Sequence, residues 1–209
     1  MQRISVVGLG KLGLSLAVTA ASRGFLVKGY DISEKVVKGV SKGVSHIYEN
    51  KVEELLNKYK RRIEVSTETT NAARDSNITF VVTTTPSKRN GDFSIKLVRD
   101  AVTKVARGLR HKKTYHLIVL VSTILPGSCK KIIHAVEKVS GKKCSRDFGF
   151  CYNPEFIALG TVVKNLLNPD FILIGESDQK AGDILEDFYH CNQSDYKCQF
   201  PPYFYQNHL

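Results

Sequence analysis

The amino-acid sequence predicts an α/β fold, a doubly wound parallel sheet with helices on both faces. Short β-rich runs alternate with segments of helical period along the chain, which is the pattern of βαβ units. A G-x-G-x-x-G sequence, from Gly8 to Gly13, lies where the first strand is expected to meet the first helix. The length of 209 residues equals roughly 1.4 domains of average size, which favours one large domain with an appendage.

The predicted strands are short runs of mainly aliphatic, aromatic or β-branched residues bounded by turn or helix signals. The fourth run ends at Thr83-Thr84-Thr85-Pro86, and the fifth ends directly before Ser122. In chain order the predicted strands are 4–7, 25–30, 63–65, 78–82, 117–121, 148–151 and 171–174.

The predicted helices carry apolar residues at every third or fourth position. The first helix ends at Gly24, and Ser33 is expected to cap a second helix that reaches Val40. An Asn90-Gly91 turn precedes a later helix, and Gly127 opens another. The apolar faces are Leu12, Leu16 and Ala20; Leu55 and Leu56; Ile95, Val98, Val102 and Val105; Ile132, Val136 and Val139; and Ala181, Ile184, Leu185 and Phe188.

Residues 1–190 are predicted to form one domain, because the alternation of strands and helices continues over this range. From Asn192 onward the chain loses any regular period and accumulates aromatic residues together with Pro201-Pro202. We therefore expect residues 191–209 to form an irregular aromatic tail.

The composition excludes several classes of protein. With 42% hydrophobic and 24% charged residues, the chain differs from disordered, collagen-like and disulfide-scaffold proteins. Its net charge of +11 favours a phosphate-bearing partner, but the basic residues are spread over predicted loops and helix ends, so no nucleic-acid partner is expected. The longest strictly aliphatic run, 117–121, is too short to span a membrane, and a cytoplasmic location is expected.

The cysteines predict neither a disulfide framework nor a metal site. There are five of them, an odd number, and they form no Cys-x-x-Cys pair. His190, Cys191 and Cys198 make the one metal-like grouping, and it lacks a further ligand at a plausible spacing.

The glycine sequence predicts a dinucleotide site of the Rossmann type. Gly8 permits a tight turn, and Gly13 permits the helix to pack closely on the strand. Gly10 lets a pyrophosphate approach the helix N-terminus, where Lys11 and Leu12 begin the first turn. The alternative is that these glycines serve a turn alone.

Asp31 is the candidate ribose ligand, because it follows the second predicted strand, 18 residues after Gly13. Its carboxylate can accept hydrogen bonds from the adenosine ribose diol and repels a 2′-phosphate. NAD is therefore favoured over NADP, although Lys35 lies nearby. The alternative is that Asp31 only caps the following helix.

Further polar residues follow later strands, at the edge of the sheet where ligands of doubly wound folds bind. Thr85 and Pro86 follow the fourth strand, Ser122 and Thr123 follow the fifth, and Glu155 follows the sixth. Hydroxyls at this edge can bond ribose, phosphate or water, and a carboxylate can act as a general base. Helix capping by the hydroxyls and a surface position for the glutamate are the alternatives.

Taken together, these motifs resemble the nucleotide-sugar dehydrogenases of the UDP-glucose 6-dehydrogenase and UDP-N-acetylmannosamine dehydrogenase type, over about residues 1–178. The motifs that carry the resemblance are the Gly8 sequence, Asp31, Gly43 to Leu56 with Glu49, Thr85-Pro86, Ser122-Thr123, Pro126-Gly127, Asn153-Pro154-Glu155-Phe156, Gly160, Asn168-Pro169-Asp170 and Ile174-Gly175.

The resemblance implies oxidation of the C6 hydroxyl of a UDP-sugar to a carboxylate in two NAD-dependent steps, through a catalytic Cys. It implies that Gly8, Gly10, Gly13 and Asp31 bind NAD, that Thr85 and Ser122 line the cofactor cleft, and that Thr123 and Glu155 assist proton transfer and thioester hydrolysis. Residues from Phe156 through Ile157 to Leu159 would contact the substrate through their backbone. The sequence departs from the family at Leu159, where many relatives have a second Glu, at Asn165, where an Asp is common, and at Val121, where a Lys or Glu often stands.

The resemblance also implies parts that we expect to be missing from these 209 residues: a long central helix, a Gly-rich loop with the nucleophilic Cys, and a C-terminal UDP-binding domain. We therefore expect a monomer that is inactive alone, with a complementary C-terminal half as its partner. The alternatives are a non-catalytic dinucleotide-binding module and another NAD-dependent hydroxy-acid dehydrogenase.

Overall fold

An eight-stranded sheet lies at the centre of the computed structural model, which describes residues 2–87, 94–156, 160–191 and 204–208. Its strands are β1 (Arg3–Val7), β2 (Leu26–Tyr30), β3 (Ile63–Ser66), β4 (Ile78–Val81), β5 (His116–Leu120), β6 (Phe148–Tyr152), β7 (Ile172–Glu176) and β8 (Phe204–His208). They lie in the order β3-β2-β1-β4-β5-β6-β7-β8. The strand order therefore reverses between β1 and β4, the place where doubly wound sheets bind their ligands.

The first six strands are parallel, which confirms the predicted fold class. In contrast, β7 runs antiparallel to β6, with Cys151 opposite Glu176 and Tyr152 opposite Gly175. The chain between these strands carries one short helix and returns to the sheet from the carboxyl end of β6, so β7 enters in the reverse direction. The sequence pattern shows a strand here but not its direction.

The helices of the described chain cover both faces of the sheet. On one face, Leu16 of the first helix and Phe188 of the last pack against Val6 and Phe80. On the other face, the fifth and sixth helices pack against the neighbouring strand residues, among them Val81. The helices are α1 (Lys11–Ser22), α2 (Glu34–Ser41), α3 (Val52–Tyr59), α4 (Ala72–Asp75), α5 (Lys96–Leu109), α6 (Ser128–Ser140), α7 (Val162–Leu167) and α8 (Gln179–Cys191), with 3-10 helices at Lys60–Arg62 and Thr69–Asn71.

Most local predictions agree with the structure. Each of the seven predicted strands is present, with ends shifted by one or two residues. The Ser33 hydroxyl caps α2 by accepting a hydrogen bond of 3.4 Å from the Val36 N–H. Gly24 follows the end of α1 with a φ of +101°. Asn90 and Gly91 lie outside the described residues.

The sequence pattern does not predict α4, α7 and β8, which are present in the structure. The irregular tail predicted over 191–209 is wrong in part, because α8 continues through residue 191 and β8 pairs in parallel with β7. Both short helices are too brief to show a helical period, and β8 depends on a neighbouring strand for its hydrogen bonds. In the part of the chain that the structure describes, every helix is too short or too polar to cross a bilayer.

Candidate functional site

The turn after β1 can be built only with glycine at two positions. Gly8 has a φ of +96°, and a Cβ there would lie 2.2 Å from the Val82 carbonyl oxygen. A Cβ on Gly13 would lie 1.8 Å from the Gly8 carbonyl oxygen. The turn therefore sits directly against the end of β4, and α1 sits directly against the turn, as the sequence predicted.

The N-terminus of α1 is open toward the carboxyl edge of the sheet. Gly10 is the residue before the helix and provides no side-chain cap, and a Cβ on it would meet nothing within 4 Å. The N–H groups of Lys11 and Leu12 lie in the first turn, where no helix carbonyl is available to accept from them. They therefore need an acceptor from outside the helix. A phosphate group suits this helix end, because its oxygens accept these hydrogen bonds and its negative charge is favoured by the helix dipole.

Asp31 joins the glycine turn to the segment that follows β2. Its Oδ2 accepts a hydrogen bond of 2.8 Å from the Leu9 N–H, and its Oδ1 accepts one of 2.9 Å from the Ser33 N–H. Ser33, rather than Asp31, caps α2. Each carboxylate oxygen keeps acceptor capacity beyond these bonds, so the side chain is held in place and can still receive ribose hydroxyls.

A cavity of about 360 Å³ lies at the reversal of strand order. Gly8, Gly10 and Asp31 form one wall, and apolar side chains from the segment after β2 and from α5 form another. Two of these apolar side chains are exposed to solvent, Ile32 by 78% and Leu97 by 40%. A flat apolar base would cover them, so the cavity has the size and lining that an adenosine requires.

The ends of β4 and β5 are joined by Ser122. Its Oγ accepts a hydrogen bond of 2.9 Å from the Thr83 N–H, so this hydroxyl has a structural role at the edge. Thr85 is half-buried, and Pro86 and Thr123 are exposed along the same edge. The cavity is lined by Thr83 and Thr84 instead of Thr85, Pro86 or Ser122.

Glu155 follows β6 at the carboxyl edge, where its half-buried carboxyl meets Tyr189 of α8. The Tyr189 hydroxyl lies 3.2 Å from Glu155 Oε1 and 2.6 Å from Asn153 Oδ1. Burial raises the pKa of Glu155 to about 7, and the hydrogen bond from Tyr189 opposes this rise. Glu155 is therefore poised to exchange a proton near neutral pH.

Sequence reasoning missed Tyr189. The apolar face of α8 is evident in the sequence, but it points to Phe188, whose ring packs 5.0 Å from that of Phe25 and 4.8 Å from that of Phe80. These ring contacts place the neighbouring tyrosine under the end of β6. A tyrosine beside the buried face of the last helix is the one signal in the sequence.

Glu49 binds backbone groups of Gly160 and Val162, which follow the predicted substrate residues in the chain. Its Oε2 accepts a hydrogen bond of 2.9 Å from the Gly160 N–H, and its Oε1 accepts one of 3.1 Å from the Val162 N–H. The side chain is 8% exposed. Ile157 and Leu159 lie outside the described residues. Phe156 is 60% exposed, and its ring centroid lies 4.8 Å from that of Phe171.

Burial disfavours the thiolate form of the three cysteines whose side chains are described. Burial raises the pKa of Cys129 to about 11, and burial also raises the pKa values of Cys144 and Cys151. A nucleophilic thiol needs the opposite shift. The side chain of Cys191 and all of Cys198 lie outside the described residues.

The open helix N-terminus, the fixed Asp31 carboxylate and the cavity beside them define a dinucleotide-binding domain of the doubly wound class. Comparison with known proteins identifies the family. Residues 2–193 match the model of the UDP-glucose/GDP-mannose dehydrogenase family, NAD binding domain. The chain belongs to this family, and its cofactor is NAD.

Among the relatives with curated sequences, GDP-mannose 6-dehydrogenase of Pseudomonas aeruginosa is 36% identical over 190 residues, which are 90% of this chain and 44% of that protein. UDP-glucose 6-dehydrogenase of Haloferax volcanii is 29% identical over 187 residues, 89% of this chain and 44% of that protein. A solved ternary complex of the Pseudomonas aeruginosa GDP-mannose dehydrogenase superposes with a TM-score of 0.91 at 32% identity, over 100% of this chain and 46% of that one. The chain thus spans less than half the length of the relatives that it matches.

Proposed function

We propose that this chain supplies the NAD-binding part of a dehydrogenase that oxidises the C6 hydroxyl of a nucleotide sugar to a carboxylate. Membership of the family and the names of the relatives support this activity. The resemblance implied a UDP-sugar. Because relatives named for GDP-mannose and for UDP-glucose both match, we propose a nucleoside-diphosphate sugar as the substrate class. The observation that carries the proposal is the Asp31 carboxylate fixed beside the open helix N-terminus.

We propose that the pyrophosphate of NAD lies on the first turn of α1, over Gly10 and against the N–H groups of Lys11 and Leu12. The ribose hydroxyls then donate to Asp31, and the adenine covers Ile32 and Leu97. Thr85, Pro86 and Ser122 belong to the part of the edge that follows β4 and β5, where the nicotinamide half would lie. When bound, NAD supplies the hydride acceptor.

Thr123 and Glu155 are proposed as the catalytic residues of this chain. Glu155 has a pKa near 7, so it can hold a proton in one step and orient or deprotonate water in another. Thr123 is exposed at the carboxyl edge, where its hydroxyl can assist the same proton transfer. The backbone of Phe156, Ile157 and Leu159 is proposed to contact the sugar. Glu49 binds the N–H groups of Gly160 and Val162, which follow this segment in the chain.

We propose that the NAD-binding domain spans residues 1–190. We also propose that the chain is a cytoplasmic monomer and that its partner is a complementary C-terminal half. The remaining chemistry is then supplied from outside the described residues: a reactive cysteine and a binding site for the nucleoside diphosphate. A non-catalytic NAD-binding module would share the Asp31 site but would not respond to such a half.

Calorimetric titration of the 209-residue protein with NAD and with NADP tests the cofactor site. We expect NAD to bind and NADP to bind more weakly, because a 2′-phosphate would face the Asp31 carboxylate. Equal or tighter binding of NADP would contradict the placement of the ribose. Light scattering of the same sample tests the monomer, which a stable dimer at micromolar concentration would contradict.

A further inference from the structure

The Tyr189 hydroxyl faces two acceptors. Its oxygen lies 2.6 Å from Asn153 Oδ1 and 3.2 Å from Glu155 Oε1. A phenol has a single hydrogen, so at any moment it can donate fully to one of these acceptors. The other acceptor is then left with the phenol oxygen, which can only accept.

The orientation of the Asn153 amide is fixed by the sheet. Its Nδ2 donates a hydrogen bond of 2.9 Å to the Leu173 carbonyl, and its backbone N–H donates one of 2.9 Å to the Leu120 carbonyl. Rotating the amide by half a turn would bring Oδ1 against the Leu173 carbonyl, oxygen against oxygen. Asn153 Oδ1 is therefore held toward Tyr189 as an acceptor.

Burial makes these bonds costly to leave unmade. Asn153 is 2% exposed and Tyr189 is 6% exposed, so water has little access to either. An unsatisfied buried polar group loses its hydration without compensation. The phenol therefore needs an acceptor for its hydrogen whether Glu155 is protonated or ionised.

We propose that Tyr189 is a positioning residue whose hydroxyl hydrogen follows the protonation state of Glu155. We call this arrangement of Tyr189, Asn153 and Glu155 the relay. When the Glu155 carboxyl is protonated, it donates to the phenol oxygen and the phenol donates to Asn153. When Glu155 is ionised, the phenol turns and donates to the carboxylate. The exchange rotates one O–H bond and also lengthens the 2.6 Å contact between the phenol oxygen and Asn153 Oδ1, because two oxygens repel each other when no hydrogen lies between them.

This arrangement keeps Glu155 Oε1 in one place while its proton leaves or returns. A charge-assisted bond from Tyr189 holds the ionised form, and a bond to Tyr189 holds the neutral form. The catalytic use of this arrangement rests on the proposed function of Glu155. The relay itself depends only on the contacts among the three residues.

Both forms of Glu155 are populated in an accessible range of pH, because burial raises its pKa to about 7. Among the described residues, the titratable groups that act on this trio come from the sheet. Burial is the largest cause of the raised pKa of Tyr189, and the Cys151 thiol of β6 adds to it. Glu176 of β7 in turn raises the pKa of Cys151. Tyr189 and Cys151 thus stay neutral where Glu155 titrates, and Glu155 is the group whose proton the relay follows.

The test is a pH titration of the isotope-labelled 209-residue protein by NMR, from about pH 5 to about pH 9, a range that brackets the raised pKa. We expect the Glu155 carboxyl carbon and the Asn153 side-chain amide to titrate with one shared midpoint. In Tyr189→Phe the amide should become independent of pH while Glu155 still titrates. Tyr115→Phe is the matched control, because the Tyr115 hydroxyl also donates to a carboxylate, that of Asp178, at 3.1 Å; it should leave both titrations unchanged.

An Asn153 amide that ignores the Glu155 midpoint in the unaltered protein would overturn the proposal, as would an amide that titrates equally in Tyr189→Phe. If Tyr189→Phe does not fold, Glu155→Gln provides the second measurement. A neutral glutamine should hold the Asn153 amide at its low-pH position throughout the titration, and movement of the amide would count against the relay. Neither result depends on NAD, so a protein that shows the relay and binds no NAD would refute the proposed function alone.

Discussion

The carboxylate of Asp31 accepts a hydrogen bond of 2.8 Å from the backbone N–H of Leu9, 22 residues earlier in the chain. This bond fixes the glycine turn to the end of β2, and the second oxygen of Asp31 fixes the start of α2 through the Ser33 N–H. Asp31 therefore fixes the shape of the proposed cofactor site.

Asp31→Ala should weaken NAD binding by about 1–3 kcal/mol, the range for a lost hydrogen bond to a charged group. The partly buried N–H groups of Leu9 and Ser33 also lose their acceptor. The free energy of unfolding should therefore fall by about 1 kcal/mol or more, with the fold retained. Calorimetry and urea denaturation measure the two effects. Glu34→Gln is the control, since Glu34 is an exposed carboxylate at the start of α2, paired with Lys38. Unchanged NAD affinity in Asp31→Ala would show that Asp31 has a structural role only.

Gly13→Ala and Gly10→Ala should separate folding from cofactor binding. A Cβ on Gly13 would lie 1.8 Å from a backbone oxygen, and such overpacking typically costs about 1–3 kcal/mol of stability. A Cβ on Gly10 meets nothing within 4 Å, so Gly10→Ala should cost less than about 1 kcal/mol and still weaken NAD, because the methyl group would occupy the pyrophosphate position. Thermal unfolding and NAD titration of both variants check this, and equal stability losses would contradict it.

Glu49→Gln should destabilise the protein by about 1–3 kcal/mol, the cost of leaving a buried donor unsatisfied. An amide offers one acceptor, so one of the N–H groups of Gly160 and Val162 would face a second donor. Urea denaturation measures the loss, with Glu53→Gln as the control, because Glu53 is exposed in α3. NAD affinity should be the same in both variants, since Glu49 does not line the cavity beside Asp31. Equal stability of the two variants would refute this structural role of Glu49.

Glu155 should make the folded state less stable as pH rises. Its pKa in the folded protein is about 7, above the ordinary value of 4.5, so between these values the folded state binds more protons than the unfolded state. The stabilising contribution is complete below about pH 4.5 and is lost as pH rises through about 7, with a total of at most about 3 kcal/mol. Glu155→Gln should remove this part of the pH dependence and be the more stable protein at about pH 8. If the free energies of unfolding of the two proteins change with pH in the same way over this range, the pKa of Glu155 is not raised.

The 209 residues alone should not oxidise a nucleotide sugar. Hydride transfer needs the sugar C6 beside the nicotinamide, and an error of about 1 Å in that placement can reduce the rate about 100-fold. The second oxidation needs a thiolate, and burial raises the pKa of each cysteine whose side chain is described. With NAD and UDP-glucose, UDP-N-acetylmannosamine or GDP-mannose, absorbance should show no NADH above background, and a separately expressed complementary half should restore it. Robust NADH production by the 209 residues would contradict this prediction.

The sequence by itself determined the fold class and the glycine turn of the proposed NAD site, because both depend on local patterns. Strand runs of period two, helix faces of period 3.6 and the spacing from Gly8 to Gly13 are set by neighbours within a few residues. Asp31 could be found in the same way, since it lies at the end of the strand that follows the glycine helix. The capping of α2 by Ser33 is a contact across three residues, and it too was predictable.

Tertiary structure alone decided how the carboxyl edge is held together. Glu49 meets Gly160 across 111 residues, and Tyr189 meets Glu155 across 34. The direction of β7 and the presence of β8 depend in the same way on which strand lies alongside. A side chain or strand of this kind finds its partner only after the sheet has brought distant segments together, and no periodicity in the chain records which segments those are.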